Sequence, residues 1–125
     1  MVLGGSRVGA AIAVSDMARS RAFYEGVLGL NPTTAYDMPN GSSWVEYEIS
    51  GGAFALGKYD DFQPSSAGAS VAFEMEDFDA AITELRAAGV TFKMEPMETP
   101  VCHMAMVLDP DGSSVCIHKR KPGHG

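Results

Sequence analysis

Short apolar runs alternate with turn-forming residues along this chain, most clearly over residues 101–120. Two mainly apolar runs there flank the tetrad Asp109-Pro110-Asp111-Gly112. Pro110 presets the backbone for the first corner of a turn, and Gly112 accepts the positive φ that closes it. The pattern predicts a β-hairpin with a short loop, in which Asp109 lies opposite Ser113.

Counting outward from this loop assigns the hairpin side chains to two faces, because side chains alternate along a strand and opposed residues share a face. Met106 is predicted opposite Cys116, Met104 opposite His118, and Cys102 opposite Arg120. The face that we take as the functional one carries Cys102, Met104, Met106, Ser114, Cys116 and His118. The other face carries His103, Ala105, Val107, Val115 and Ile117, and His103 is expected to serve packing or an interface.

Helical periodicity occurs twice, each time directly after an aspartate and before a glycine. Asp16 and Asp77 are the predicted N-caps, and Gly29 and Gly89 the predicted ends. The first apolar stripe consists of Ser20, Phe23, Tyr24, Val27 and Leu28, and the second of Phe78, Ala81, Ile82, Leu85 and Ala88.

Each predicted helix belongs to one copy of a duplicated β-α-β-β-β unit, since each follows a short strand and precedes further strands. The copies span residues 6–59 and 70–120, joined by a linker at 60–69 and followed by a flexible tail at 121–125. Residues 31–41 are rich in turn formers, and a loop is expected through Pro96 and Pro100. The sequence therefore predicts a single α+β domain, residues 1–125, made of two tandem βαβββ units.

Composition narrows the function classes. A formal net charge of −7 argues against nucleic acid or an anionic membrane as partner and favours cationic ligands. No run approaches the roughly 20 apolar residues of a membrane helix, and no secretory signal is apparent. The two cysteines lie far apart along the predicted hairpin, so we expect reduced thiols and a cytoplasmic protein.

Several motifs together resemble those of the vicinal oxygen chelate superfamily, the group of glyoxalase I, bleomycin resistance proteins and extradiol dioxygenases. They are Val14-Ser15-Asp16, Ser20, Phe23-Tyr24, Val27-Leu28-Gly29-Leu30 and the Asp109-Pro110-Asp111-Gly112 hairpin. The resemblance implies a curled mixed sheet around a concave cavity with the helices outside, and a homodimer. It also implies, in the metalloenzymes of the group, a divalent metal held by His, Gln or Glu side chains.

The positions that match the family's metal ligands here are Gly9, Ser70, Cys116 and Ala55. Glycine and alanine have no donor atom, and neutral serine is a poor ligand. We therefore expect no metal and no cofactor, and the chain is closest in character to the metal-free, bleomycin-resistance-like members.

Strand parity places small side chains on the cavity side, together with Trp44, Glu46 and Glu48 from the strand at residues 44–49. The candidate ligand-binding residues are Trp44, Glu46, Glu74, Met104, Met106, Cys116 and His118. Indole stacks on flat or cationic groups, carboxylates pair with cations, and thioethers form an adaptable wall.

The function predicted from these residues is metal-free sequestration of a small molecule, cationic or aromatic in character. The alternative is a lyase, isomerase or dioxygenase of the same superfamily that uses a rebuilt metal or acid–base site. Such a site would draw on Glu46, Glu74, Cys116 and His118.

Overall fold

The computed structural model describes residues 9–67 and 69–123, and the chain divides into two units, Met1–Pro64 and Ser65–Gly125. Each unit contains a helix and four strands in the order βαβββ, which confirms the predicted α+β class and the tandem repeat. The strands form two four-stranded mixed sheets, one in each unit. Residues 6–8 of the first predicted copy, residue 68 of the linker and residues 124–125 of the tail lie outside the described residues.

The first unit has the sheet order β1-β4-β3-β2, with β1 parallel to β4 and the other neighbours antiparallel. Its elements are β1 (Gly9–Ala13), α1 (Met17–Arg21) continuing as a π-helical segment (Ala22–Val27), β2 (Pro32–Asp37), β3 (Ser43–Ile49) and β4 (Gly52–Lys58).

The second unit repeats this arrangement in the order β5-β8-β7-β6, again with its first strand parallel to its last. Its elements are β5 (Val71–Glu74), α2 (Phe78–Ala87), β6 (Phe92–Glu98), β7 (Cys102–Leu108) and β8 (Ser114–Arg120). No helix among the described residues is long and apolar enough to cross a membrane.

Both predicted helix starts are capped as expected. The Asp16 carboxylate accepts from the Arg19 backbone N–H at 3.1 Å, and Asp77 accepts from Ala80 at 3.0 Å. Each bond satisfies one of the N–H groups that the first helical turn leaves free. Gly29 and Gly89 take φ values of 77° and 75° just beyond the helices, the left-handed conformation predicted for them.

The π-helical segment was not predicted. The Leu28 N–H donates to the carbonyl of Phe23, five residues back, at 3.0 Å, which is the hydrogen bond of the wider π-helical turn. The turn leaves Glu25 beside β3. There the Tyr47 hydroxyl donates a hydrogen bond to the Glu25 carboxylate at 2.7 Å, and the Arg21 guanidinium donates to the same carboxylate at 2.6 Å. The bond from Arg21 holds the pKa of Glu25 below its ordinary value, and burial raises that of Tyr47.

Two strands depart from the sequence interpretation. Residues 32–37, expected as turns, form the edge strand β2, which is exposed along its whole length and pairs with β3. The strand β6 runs through Pro96, where a loop was expected, and its register shifts between Met94 and Met97. Both are edge strands, and an edge strand tolerates proline because one side of it needs no ladder partner.

The core lies on the helix-facing side of each sheet. In the first unit Tyr24 packs on Phe54, and Tyr47 stacks on the same ring. The buried side chains of the two sheets include Val45, Tyr47, Phe54, Leu56, Ala105, Val107, Val115 and Ile117. Burying one large apolar side chain contributes about 1.5–3 kcal/mol, so these faces dominate the stability of each unit.

Candidate functional site

The hairpin of β7 and β8 has the predicted register. Met106 pairs with Cys116, Met104 with His118 and Cys102 with Arg120. The loop closes as expected, because the Asp109 N–H donates to the Ser113 carbonyl at 2.9 Å. Asp109 is itself buried, and its carboxylate accepts from the backbone N–H groups of Asp111 and Ser113. Local turn chemistry therefore fixes which side chains share a face.

A methionine-rich face results on the second sheet. Two cross-strand rows build it, one of Cys116, Met106 and Met94, the other of His118, Met104 and Met97. We call these six residues the methionine face. The spacing from Met94 to Met97 would place the two side chains on opposite faces of a regular strand. The register shift in β6 instead places each of them opposite a methionine of β7. Four thioethers therefore lie together on this face.

Glu74 extends the second row and is bonded to His118. Its Oε1 lies 2.7 Å from His118 Nδ1, and its Oε2 accepts from the Arg120 backbone N–H at 2.7 Å. The Arg120 N–H and His118 together hold the pKa of Glu74 below its ordinary value. A charged Glu74 can only accept a hydrogen bond, so it favours the tautomer with the proton on Nδ1, which leaves Nε2 as the ring nitrogen with a lone pair in the neutral imidazole.

Both cysteines are buried free thiols. Burial raises the pKa of Cys116, so its thiol is protonated at neutral pH. Cys102 lies 3.2 Å from the Thr99 hydroxyl at the far end of the face. His103, on the opposite face of β7, packs against Phe78 of α2, as the predicted packing role requires.

The first sheet carries Trp44 and Glu46 on its open face. The Trp44 indole Nε1 donates to Glu46 Oε1 at 2.8 Å, so the carboxylate fixes the orientation of the ring. Across β4, Trp44 pairs with Gly57, Glu46 with Ala55 and Glu48 with Ala53, as strand parity predicted. Small residues therefore lie beside the indole and leave room for a ligand.

Trp44, Tyr59 and Gly57 lie together, and we call these three residues the aromatic corner. A methyl group at Gly57 would lie 3.0 Å from two indole carbons and 3.2 Å from the Tyr59 ring, so the indole lies directly on this glycine. The Trp44 and Tyr59 ring centroids are 6.1 Å apart. A cavity of about 310 Å³ borders this corner, lined by Gly9, Ala10, Ala11, Trp44, Glu46, Ala53 and Ala55.

Sequence reasoning missed Tyr59 and Gly57 as site residues. Tyr59 is the last residue of the first predicted copy and was given no role, and Gly57 was counted only among the small residues on the cavity side. For Gly57 the signal was present, because Gly57 is the cross-strand partner of Trp44. A glycine opposite a tryptophan in paired strands indicates close contact of the ring with the backbone.

The family's metal positions do not offer a divalent site here. Gly9 faces Ala53, and Ala55 lies between Ala11 and Glu46 in the sheet. Among the described residues no group of three or more histidine, cysteine, aspartate or glutamate side chains could hold a metal ion. The donor set of the family's metalloenzymes therefore does not fit this chain.

Comparison with solved structures shows the same fold in proteins of known structure. TnmS3, an antibiotic binding protein from Streptomyces sp. CB03234, is 24% identical with a TM-score of 0.77, over 94% of this chain and 97% of that one. A glyoxalase/bleomycin resistance protein from the same organism is 25% identical with a TM-score of 0.72, over 90% and 98%. A putative glyoxalase family protein from Bacillus anthracis is 20% identical with a TM-score of 0.74, over 93% and 95%.

No curated protein matches this chain. The sequence model of the Glyoxalase/Bleomycin resistance protein/Dioxygenase superfamily matches residues 8–117, nearly the whole chain. Sequence motifs, the tandem βαβββ units and this match agree, and the chain belongs to the glyoxalase/bleomycin resistance/dioxygenase superfamily.

Proposed function

We propose that this protein binds a small, planar organic cation without the help of a metal, and that Trp44 and Glu46 are its principal contacts. The observation that carries the proposal is the aromatic corner, in which a carboxylate orients the indole beside a cavity lined by small residues. A fixed aromatic surface stacks on a flat ligand, and an adjacent carboxylate pairs with its positive charge.

Two further facts support the binding of a small molecule, and the first of them favours a cationic one. The net charge of −7 attracts cations to the protein as a whole. The similarly folded TnmS3 is an antibiotic binding protein. On the second sheet, Glu74, Met104, Met106, Cys116 and His118 remain predicted small-molecule contacts of that unit, since thioethers adapt to ligands of varied shape.

Calorimetric titration with three fused-ring probes tests the proposal: cationic proflavine, neutral acridone and anionic anthracene-2-sulfonate. We expect proflavine to bind most tightly, acridone less tightly and anthracene-2-sulfonate most weakly. Trp44→Leu should weaken all three probes, by roughly tenfold for the loss of one stacking contact. Equal affinity for all three, or binding that survives Trp44→Leu, would contradict the proposal.

Glu46→Gln separates charge pairing from stacking. It should weaken proflavine by roughly tenfold while leaving acridone within about twofold, because only the cation loses an ion pair. Glu84→Gln is the matched control, since it removes the same charge from an exposed position on α2. A similar loss in Glu84→Gln would mean that overall charge, and no specific contact, sets the affinity.

A second candidate function is acid–base catalysis at His118, favoured by its 2.7 Å bond to Glu74. A carboxylate that orients an imidazole is the usual arrangement of a general base. Assays of lyase, isomerase and dioxygenase activity would test it, with turnover abolished in His118→Gln. Turnover that persists in this variant would exclude His118 as the base.

We also propose, from the family resemblance, that the protein works as a homodimer. Light scattering of the purified protein should then give twice the chain mass of 13.2 kDa. A particle of single-chain mass at micromolar concentration would contradict this.

A further inference from the structure

The methionine face gathers a set of donor atoms that the superfamily's divalent sites do not use. At its centre are two thioethers, one thiol and one imidazole, from Met104, Met106, Cys116 and His118. They form two adjacent cross-strand pairs on β7 and β8. Opposed Cβ atoms on paired strands lie about 4.5–5.5 Å apart, so the side chains of each pair lie within reach of one another.

The burial of these four residues suits a weakly hydrated ion. Cys116 is buried, and Met104, Met106 and His118 are half-buried. Hard divalent ions need several oxygen ligands, which this cluster lacks. Thiolate and thioether sulfur favour Cu(I), and imidazole is also a common copper ligand.

An independent observation concerns the orientation of His118. Histidines that bind metals usually hold one ring nitrogen against a carboxylate or carbonyl, which leaves the other nitrogen for the metal. Here Glu74 engages Nδ1, and Glu74 is in turn fixed by the Arg120 backbone N–H. The second contact layer of a metal ligand is therefore already in place around His118.

We propose that the methionine face is a binding site for a soft monovalent cation, Cu(I) or its analogue Ag(I), held by Cys116, Met104, Met106 and His118. The ion replaces the Cys116 thiol proton, which passes to solvent, and no electron is transferred. The site is confined to the second unit, and it goes beyond the proposed binding of an organic cation at Trp44.

Competition for Cu(I) against bicinchoninate under anaerobic, reducing conditions tests the affinity. We expect the intact protein to withdraw one equivalent of Cu(I) per chain from the chelator. Cys116→Ser should weaken binding by at least 100-fold, and Met104→Leu with Met106→Leu by 10-fold or more. Met17→Leu with Met38→Leu is the matched control: it removes two thioethers from the first unit, outside the methionine face, and should leave the affinity unchanged.

Nuclear magnetic resonance with methyl-labelled methionine and redox-inert Ag(I) tests the geometry. One equivalent should shift the methyl signals of Met104 and Met106 and leave those of Met38 and Met75 in place. No competition with bicinchoninate, an unchanged affinity in Cys116→Ser, equal losses in the two double methionine variants, or uniform shifts of all methionines would each overturn the proposal.

Discussion

Gly57 shows how one missing methyl group shapes the candidate site. A Cβ at residue 57 would lie 3.0 Å from two carbons of the Trp44 indole, which is closer than ordinary van der Waals contact. Gly57 lies within β4, where its φ is negative, so an alanine there is conformationally acceptable and its effect is steric. The position of the indole ring therefore explains why residue 57 is a glycine.

We predict that Gly57→Ala displaces the indole and breaks its bond to Glu46. Overpacking of this kind costs about 1–3 kcal/mol of unfolding free energy. Chemical denaturation should show that loss, and the tryptophan emission, which comes from Trp44 alone, should shift. An unchanged emission spectrum would show that the indole does not lie on this glycine.

Glu25 predicts a pH dependence of stability. Its pKa is held below the ordinary value of 4.5, chiefly by the hydrogen bond from Arg21. A carboxyl group with a lowered folded-state pKa stabilises the protein above its unfolded-state pKa and ceases to do so as the pH falls through the folded value. The stabilisation should be complete at pH 6–7 and lost progressively below about 4.5.

The test compares Glu25→Gln with the unsubstituted chain from pH 7 to pH 3. At pH 7 the variant should be less stable by about 1–2 kcal/mol, because it loses charged hydrogen bonds to Arg21 and Tyr47. The gap should narrow as the pH falls toward 3, because Glu25 loses its charge as the pH passes through its lowered folded-state pKa. A gap that is constant with pH would contradict the ionic origin.

At the scale of the element, one glycine within the first helix and one just after it should respond in opposite ways to substitution by alanine. Gly26 lies in the π-helical segment with open space where a Cβ would be, whereas Gly29 follows the helix with a φ of 77°. Glycine inside a helix costs roughly 0.5–1 kcal/mol relative to alanine, but a left-handed residue favours glycine.

We therefore predict that Gly26→Ala raises the melting temperature by about 2–5 °C and that Gly29→Ala lowers it by a similar amount. The two variants add the same methyl group three residues apart, so each is the control for the other. A decrease in both would show that the π-helical segment does not tolerate a side chain at residue 26.

Sequence reasoning succeeded where structure is set locally. The Asp109–Gly112 turn fixes the pairing of Met104 with His118, and the aspartate caps fix both helix starts. It failed for β2, because an edge strand exposed on both faces has no hydrophobic alternation. It also failed for the π-helical segment, whose extra residue is accommodated by the contact between Glu25 and Tyr47, far away in sequence.

The candidate site was predicted in part for the same reason. The open faces of the strands followed from parity, so Trp44 and Glu46 were assigned correctly to one face. The contact with Tyr59 depends on how the chain leaves β4, which no periodic pattern encodes. The gathering of Met94 and Met97 depends on a register shift that parity alone cannot reveal.

At the scale of the whole molecule, the net charge of −7 should add a long-range component to the binding of cations. Salt screens such interactions, with a Debye length of about 10 Å at 0.1 M and 3 Å at 1 M. We predict that raising sodium chloride from 0.05 to 0.5 M weakens proflavine binding by roughly three- to tenfold, while acridone changes little. Calorimetry at both salt concentrations measures this, and equal changes for the two probes would refute it.

The parallel strands β1 and β5 have a consequence for the order in which the units assemble. Each joins its sheet by pairing residues far apart in sequence, such as Gly9 with Ala53 and Val71 with Val115. The antiparallel hairpins of β3 with β4 and β7 with β8 close much shorter loops and lose less chain entropy in forming. In each unit, β1 or β5 should therefore join the sheet after the hairpin has formed. Backbone amides of β1 and β5 should exchange with deuterated solvent sooner than those of the hairpins.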